Sequence, residues 1–422
     1  MSKGGWSLVC ALLIIGAKAQ MTDSLHAVVM ADTLGSTDLR PLSTATHFLR
    51  YEATALYDAT ALRNELVTAL WRGGTISREL RQRSAGSSSG ADRAGYVLSS
   101  EISYSWGKDF LGLASVRPRL SVAYNDVLGM RYANDLYHAT FFGNGDHEND
   151  VMRLGPSSYQ KVRYQTLGFG VEHSRTGSYL MMHVVNGQDL SAADFEQADL
   201  YTATDGRYLR LDLNGEHSRS ADDGSGSWRS RGIGIALSFR LVTPIHLGKH
   251  GANLAIGGTD LGDVLWNSAS LRVDRHKTIV YDGIEANDVF DIKGVLLERG
   301  ALQDTLGLAY ETGAFLRPLP SKLYASFDHD AAFGMRYTAQ LDIRNLPGYR
   351  PHAALGARHA FGENAVRAEV SFGGFGGWRA GLGAERILCR RILLALQVPN
   401  VIGMVSESAR GRAATLTVSY VW

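Results

Sequence analysis

The chain is short of cysteine, proline, net charge and long apolar runs, and each shortage excludes a class of protein. Two cysteines in 422 residues cannot make a disulfide-stapled scaffold. They are Cys10 and Cys389. If Cys10 is removed with an N-terminal leader, one thiol remains, so neither an intramolecular disulfide nor a thiolate metal cluster can form. Nine prolines are too few for a Pro/Gly-rich disordered chain. Lys and Arg number 43 against 42 Asp and Glu, a formal charge of +1. That balance gives no reason to expect nucleic acid or an acidic membrane surface as a partner. After residue 20 no apolar run reaches the roughly 18 residues of a spanning helix, so a helical multi-span membrane protein is excluded. Glycine is the residue in excess, 47 of 422, or about 11% against roughly 7% in ordinary chains. Many glycines, 9% aromatics and no long apolar run leave a membrane β-barrel open.

The first twenty residues read MSKGGWSLVCALLIIGAKAQ. Lys3 supplies the positive start, Trp6 to Ile15 the apolar stretch, and Ala17-Lys18-Ala19 the small-x-small cleavage pattern. These are the three parts of a secretory signal peptide, and the apolar stretch is too short to span as a helix. Cys10 lies inside that stretch instead of after it, which argues against a lipoprotein. Residues 1–19 are therefore expected to be removed. Losing Lys3 and Lys18 takes the charge from +1 to −1.

The last ten residues, AATLTVSYVW, alternate. Leu416, Val418, Tyr420 and Trp422 share one strand face, and Thr415, Thr417 and Ser419 the other, with Val421 the apolar exception. In a soluble sandwich the apolar face would be core; in a membrane barrel it meets lipid and the polar face lines the lumen. Aromatics at the end of the apolar face and a strand running to the last residue favour the barrel. A terminal aromatic on such a strand resembles the insertion signal of bacterial outer-membrane barrels.

Similar segments recur from about Gly95. Leu167, Phe169 and Val171 align, as do Leu180, Met182 and Val184, then Ile233, Ile235, Leu237, Phe239 and Leu241. Val366, Ala368, Val370 and Phe372 stand opposite Arg367, Glu369 and Ser371. Tyr208 to Asn214 alternates leucine with polar residues. A lumen tolerates the charged residues; at the lipid midplane an Arg or Lys costs roughly 2–4 kcal/mol. The breaks are turn-rich: Gly143 to Asp146, Ser218 to Ser227, Asn345 to Gly348 and Gly373 to Gly377. About fourteen to sixteen strands are expected.

The stretch before them differs. Leu62, Leu66, Val67, Leu70 and Trp71 repeat at helical spacing until Gly73-Gly74 breaks the helix. Ile76 to Arg83 reads as a second short helix, and Ser84 to Gly90 as a flexible linker. The expected organisation is a signal peptide at 1–19, a partly helical plug or cap at 20–91, and a barrel at 92–422. The fold class is all-β, a transmembrane antiparallel β-barrel of about 14 strands.

Asn64 to Gly74, Asp135-Leu-Tyr-His-Ala-Thr-Phe-Phe-Gly-Asn144, Thr259-Asp-Leu-Gly-Asp-Val-Leu-Trp-Asn267 and Tyr281-Asp-Gly-Ile284 follow one another in this order. Together they resemble an uncharacterised family of Bacteroidota outer-membrane barrels, a domain of unknown function distantly like the long-chain fatty-acid channel FadL. The resemblance covers most of the chain that follows the leader. It implies roughly fourteen strands and a plug-like N-terminal segment, and it implies no catalytic residues.

Sites of chemistry are scarce. The acidic run Gly145 to Asp150 around His147 does not have the spacing of an EF-hand and reads as a solvated loop. Asp328-His329-Asp330 reads as a polar turn; as a strand it would put the two carboxylates on one face and His329 on the other, which breaks any relay. Cys389 reads as a small apolar strand residue. Gly168-x-Gly170 and Gly232-x-Gly234 fall within strands, away from any nucleotide-binding helix. No catalytic, cofactor-binding or metal-binding residue is assigned. The function read from this is a channel or FadL-like uptake barrel for small, even hydrophobic, solutes. The alternatives are a non-transporting partner barrel of a secretion or surface-nutrient complex and, last, an outer-membrane hydrolase. Expected partners are outer-membrane lipid, the barrel-assembly machinery acting on the C-terminal strand, and other outer-membrane proteins, with no nucleic acid. The expected location is the outer membrane of a Gram-negative bacterium.

Overall fold

A computed structural model describes residues 46–73, 76–85, 90–221, 229–247, 250–281 and 310–422. Residues 1–45, with the expected signal peptide, lie outside the described residues, as do 222–228 of the polar run after Ser218, 86–89 of the linker, and Asp282 to Ile284.

Fourteen antiparallel strands form a closed wall. They are β1 (His47–Ala59), β2 (Asp92–Trp106), β3 (Val116–Tyr132), β4 (Ser157–His173), β5 (Tyr179–Thr202), β6 (Gly232–Leu247) and β7 (His250–Trp266). β8 comes in two pieces, Phe315–Pro318 and Lys322–Asp330. Then follow β9 (Met335–Arg344), β10 (Arg350–Phe361), β11 (Asn364–Gly374), β12 (Arg379–Leu388), β13 (Ile392–Val398) and β14 (Gly411–Val421). Closure is made by β1, which pairs with β14 from Phe48↔Val421 to Asp58↔Gly411 and with β2 from His47↔Trp106 to Ala59↔Ala94. A closed ring satisfies the backbone donors and acceptors without help from water, as lipid demands.

The two ends differ. At the end holding His47 and Trp422 the strands join by short turns, such as 331–334, 362–363 and 389–391. At the other end lie the long connections 60–91, 133–156, 203–231 and 267–314. Outer-membrane barrels keep short turns in the periplasm and long loops outside, so the long-loop end faces the cell surface.

The faces divide as the alternation predicts. On β11, Val366, Val370 and Phe372 are exposed, while Arg367, Glu369 and Ser371 are buried inside. On β14, Thr415, Thr417 and Ser419 are buried in the lumen and Leu416 is exposed outward. The outward leucines, isoleucines and valines are among the most exposed side chains of the molecule, Leu355 at 68% and Ile235 at 70%. Their place is lipid. On β4 the apolar face Leu167, Phe169 and Val171 gives way toward the cell surface to Gln165, Arg163 and Lys161, with Arg163 bound to Asp126 at 2.9 Å. That change marks the upper edge of the lipid band.

Four expectations need correction. Residues 47–59, assigned by sequence to the pre-barrel segment, are a wall strand, so the wall starts at His47. The reason is that β1 carries the same alternation, with Phe48, Arg50 and Asp58 buried inside, but its outward Leu49, Tyr51, Ala53 and Ala55 are too mixed to stand out in the sequence. Leu209–Arg219 is a strand outside the wall. The upper half of β5 pairs with it, from Ser191↔Arg219 to Thr202↔Leu209, and it pairs in turn with Leu271–Tyr281. This rim sheet rises from the wall because only Tyr179 to Gly187 of β5 pairs with β6. Asp328, His329 and Asp330 belong to β8 and precede the turn at 331. Cys389 is exposed in the turn between β12 and β13 with φ of 50°, a backbone that no strand supports.

The helical expectation holds at α1 (Asn64–Arg72) and α2 (Arg78–Arg83), with Gly73 ending α1 at φ of 71°. Both belong to the first cell-surface loop and cap the rim. Leu66 is fully buried in a cluster with Ala59, Ala94, Tyr132 and Tyr137, the last from α3 (Asn134–Phe142), and Leu62 and Leu80 pack on it. Asn64 ties α1 to the last loop: its amide donates to the carbonyls of Gly403 (2.9 Å), Ser406 (3.0 Å) and Gly411 (3.3 Å). Leu70 and Trp71, expected on the same buried stripe, are exposed instead, Trp71 at 77%. The nine-residue helix rests on the wall through its first half, where Arg412 also donates to the Thr68 hydroxyl at 3.4 Å.

At the periplasmic end an outward stack of rings crosses the seam. His47 lies 5.1 Å from Trp422, Tyr104 5.4 Å from Trp106, and Tyr420 4.9 Å from Trp422. His47 Nδ1 meets the Tyr104 hydroxyl at 2.7 Å. Aromatics of this kind suit the membrane interface.

The lipid assignment of the outer face has a direct check. Leu355→Arg, which places a cation at an outward position of β10, should lower the folding stability in vesicles by about 2–4 kcal/mol. Thr417→Arg, pointing into the lumen, should insert normally. Equal urea midpoints for Leu355→Arg and the unaltered protein would contradict the assignment.

Candidate functional site

The alternation that faces leucine to lipid faces charge to the lumen, and a low-dielectric wall makes an unpaired charge costly. Most luminal charges are accordingly paired. Near the periplasmic end Glu172 accepts hydrogen bonds from Arg117 (2.7 Å), Arg119 (3.2 Å) and Ser105 (2.7 Å). Arg119 also lies 4.6 Å over the Tyr179 ring, and Arg117 5.5 Å over Phe48. Arg50 pairs with Glu52. On the opposite wall Arg358 meets Glu385 at 2.9 Å and Gln397 donates to Glu369 at 2.6 Å. All but the Arg50–Glu52 pair, which lies within β1, link different strands from inside.

Above this polar floor lies a cavity of about 270 Å³. Its charged lining has both signs: Arg50, Arg119, Lys322, Arg344 and Arg379 against Glu52, Asp58, Glu101, Asp260, Asp342 and Glu369. Drug-sized ligands fill pockets of roughly 300–1,000 Å³, so this volume suits a small solute.

The cavity ends upward at an apolar cork. Phe375, Leu346, Trp266, Leu319, Val127, Val162 and Val185 are buried together, and Tyr349 packs against them. Phe375 and Leu346 come from the two short cell-surface turns, 375–378 and 345–349, which fold into the barrel mouth. Phe375 meets Tyr349 edge-on at 5.0 Å and 86°. Its ring fits only because the facing wall is bare. A Cβ at Gly95 would lie 2.4 Å from the ring, and one at Gly129 3.1 Å from the ring and 2.9 Å from Leu346. Two carboxylates hold the cork down. Asp342 accepts from the Tyr349 hydroxyl (2.6 Å) and bonds His352 (2.8 Å), while Asp58 binds Arg379 (2.8 Å), whose other nitrogen donates to the Gly373 carbonyl (3.1 Å). Arg93 adds a bond to the Gly376 carbonyl at 3.2 Å.

Between cork and cavity the wall is interrupted. β7 bulges by one residue: Thr259 and Asp260 stand opposite Ser238 alone, where the register jumps from Leu237↔Leu261 to Phe239↔Gly258. Asp260 has φ of 56°, a left-handed conformation that Asp tolerates better than most residues. It accepts from the Tyr164 hydroxyl at 3.0 Å. Opposite the bulge, β8 breaks at Leu319 to Ser321.

Of the residues singled out from sequence, few meet. His147 bonds Asp150 at 3.2 Å in an exposed cell-surface loop, and that bond holds the Asp150 carboxyl below its ordinary range. Asp328 is buried in the lumen, where its chain neighbour His329 does not point. Among the described residues no three His, Cys, Asp or Glu side chains come together to hold a metal. The cork was missed: Gly373 to Gly377 was read as a turn and nothing more. An aromatic between two glycine pairs is the available signal, since such a turn leaves room only for the ring it carries. The Thr259 to Asn267 motif does mark a site, the bulge and the buried Trp266.

No protein-family model matches the chain, and no curated protein matches it. Similar solved structures include the monoaromatic hydrocarbon channel TodX in a deletion mutant, with 10% identity, 92% of this chain and 94% of that chain covered, and a TM-score of 0.43. The toluene transporter TodX of P. putida gives 10%, 90%, 92% and 0.41. The toluene transporter TbuX of Ralstonia pickettii gives 8%, 89%, 89% and 0.37.

The cork should be worth a measurable part of the stability of the barrel mouth. Phe375→Ala empties a buried aromatic site, a change that costs roughly 3–5 kcal/mol in close-packed interiors. The expected result is a lower unfolding midpoint and faster proteolysis at the 375–378 turn; an unchanged midpoint and cleavage rate would show that the ring is not packed as described.

Proposed function

We propose that the protein is an outer-membrane channel for small solutes, a FadL-like uptake barrel closed at its cell-surface end by the Phe375 cork. The observation that carries this is the order of the layers. A polar cavity sits inside a lipid-facing wall, and two short turns, held by side-chain bonds, close over it toward the cell surface. A wall strand cannot open without breaking ladder hydrogen bonds in lipid. A turn can move at the cost of a few side-chain contacts.

The layers also sort solutes. An apolar or amphipathic molecule partitions first into the cork, where Phe375, Leu346 and Trp266 replace water contacts. It then meets a floor of paired charges. No catalytic role is assigned to any luminal residue: His352 is taken up by Asp342, and His183 has no hydrogen-bond partner. The family reading is a FadL-like barrel. Its Bacteroidota branch rests on the motifs at Asp135 to Asn144 and Thr259 to Asn267. In assembly, β14 is the strand offered to the barrel-assembly machinery, since its outward Leu416, Val418 and Tyr420 end in Trp422. One observation favours a second reading, a partner barrel in a surface complex: the rim sheet stands clear of the wall and adds nothing to its closure.

Proteoliposome swelling tests the channel. Vesicles holding the unaltered protein should swell slowly in small sugars. Removing residues 375–377, or Gly95→Leu, which drives the Phe375 ring from its seat, should raise the rate several-fold with a sharp size limit. Impermeable vesicles for all three proteins would overturn the channel and leave the partner barrel.

A further inference from the structure

We infer that the upper outer edge of the wall carries a docking shelf for a phosphorylated glycolipid of the outer leaflet, built on the second half of α1, on α2 and on the loops beside them. The shelf lies outside the lumen, so it stands apart from the channel reading. Which side of the wall it occupies follows from alternation. Asp58 binds Arg379 inside the barrel, so its neighbour Ala59 faces out. Gly95 faces the Phe375 ring, so Ala94, the partner of Ala59, faces out as well. Leu66 of α1 is buried against both. Arg412, on the outward face of β14 with Leu416, reaches α1 at the Thr68 hydroxyl. α1 therefore lies against the outside of the wall and not over the mouth.

The wall covers only part of the apolar stripe of α1. Leu66 is fully buried, while Leu70 and Trp71, one turn on, are exposed. Exposed apolar residues continue along the rim above β11 to β14. Trp378, 76% exposed, packs 5.0 Å from Phe372, an outward residue of β11. Between Trp378 and α1 along the rim, the loop joining β13 to β14 carries α4 (Val401–Val405), with Ile402 and Val405 exposed. Below this crest stand the outward Leu382, Leu396 and Leu416. The crest continues the lipid-facing surface upward past its leucines, and the tryptophans at its two ends suit the headgroup level of a bilayer.

Charge selects the lipid. α1 and α2 hold four arginines, Arg72, Arg78, Arg81 and Arg83, against two glutamates, Glu65 and Glu79. Arg83 binds Glu65 at 2.9 Å, and Arg81 donates to the Phe141 carbonyl. Arg72 and Arg78 are exposed and make no such contact among the described residues. A guanidinium fork takes a phosphate through two parallel hydrogen bonds. Apolar side chains for acyl chains and guanidinium groups for phosphate stand together at the cell-surface end of the wall. The lipid that combines both at that level of a Gram-negative outer membrane is a phosphorylated glycolipid. A zwitterionic lipid would leave the positive charge of the shelf unmatched.

The test uses the full chain. In detergent with equimolar bisphosphorylated lipid A and phosphatidylcholine, native mass spectrometry should show lipid A retained in preference. Arg72→Gln with Arg78→Gln should weaken that retention about tenfold, since two charge-assisted contacts are lost, while Arg72→Lys with Arg78→Lys keeps most of it. Both positions are exposed, so each variant should keep the heat-modifiable gel migration of a folded barrel. In vesicles of lipid A and phosphatidylcholine, the emission lost on Trp71→Phe should be the part quenched by acyl chains brominated near the headgroup. No preference over phosphatidylcholine, equal retention by the double Gln variant, or an unquenched Trp71 overturns the shelf. Equal retention of phosphatidylglycerol overturns the choice of glycolipid. A dimer in detergent that Trp71→Phe dissociates overturns the lipid altogether and gives the crest to a second copy of the chain.

Discussion

Lipid offers no hydrogen bonds, and everything else in this molecule follows from that. Each wall strand must find partners on both sides, so the strand count is settled by closure and not by local propensity. β1 shows the constraint at work. Without it, β14 would leave its ladder groups from Gly411 to Val421 unpaired, and β2 those from Ala94 to Trp106. The first strand is therefore as necessary to the barrel as the C-terminal one. The helices α1 and α2, instead of hanging beneath the barrel, are carried to the cell-surface rim by the strand before them.

Closure then dictates the interior. Period-two alternation that gives lipid an apolar face must give the lumen the other set of side chains, and these are Arg, Glu, Asp and Ser. Such a lumen is stable only if its charges are matched. The bonds of Glu172 to Arg117 and Arg119, and of Asp58 to Arg379, are the same kind of solution at opposite ends of the barrel. One holds the floor together and the other holds the cork in place.

The wall was legible in the sequence because period two is a short-range signal. Leu167 to Val171, Leu180 to Val184, Ile233 to Leu241 and Val366 to Phe372 all lie outward as their spacing requires. Two strands were misjudged for opposite reasons. β1 lacks a bold apolar face, so its strand character was hidden behind the helical periodicity that follows. Leu209–Arg219 alternates well, but alternation does not say whether the partner strand stays in the wall, and here β5 outlasts β6 and carries a new sheet upward. The cork was illegible for a third reason. Phe375, Leu346 and Trp266 lie far apart in the chain and meet only because the ring closes, and the pair Asp58 with Arg379 depends on the same closure.

The glycine excess, visible at the outset as composition, acquires a physical role at the cork. Gly95 and Gly129 are neighbours across β2 and β3, Gly95 opposite Gly129, and together they leave a bare patch on the inner wall where the Phe375 ring lies. Across the mouth, Gly187 and Gly232 do the same for Val264 and Trp266. A ring seated on bare backbone is in close contact without being interlocked with neighbouring side chains. Leaving breaks dispersion contacts, each worth only ~0.1–0.2 kcal/mol per atom pair, and no side chain has to rotate aside. The bonds that do resist are directional and few: Tyr349 to Asp342, Arg379 to Asp58 and to Gly373, Arg93 to Gly376. A closure of this kind is firm while those bonds are made and has little left to oppose it once they are exchanged for bonds to an incoming polar group, which is the property that a gate above a charged cavity requires.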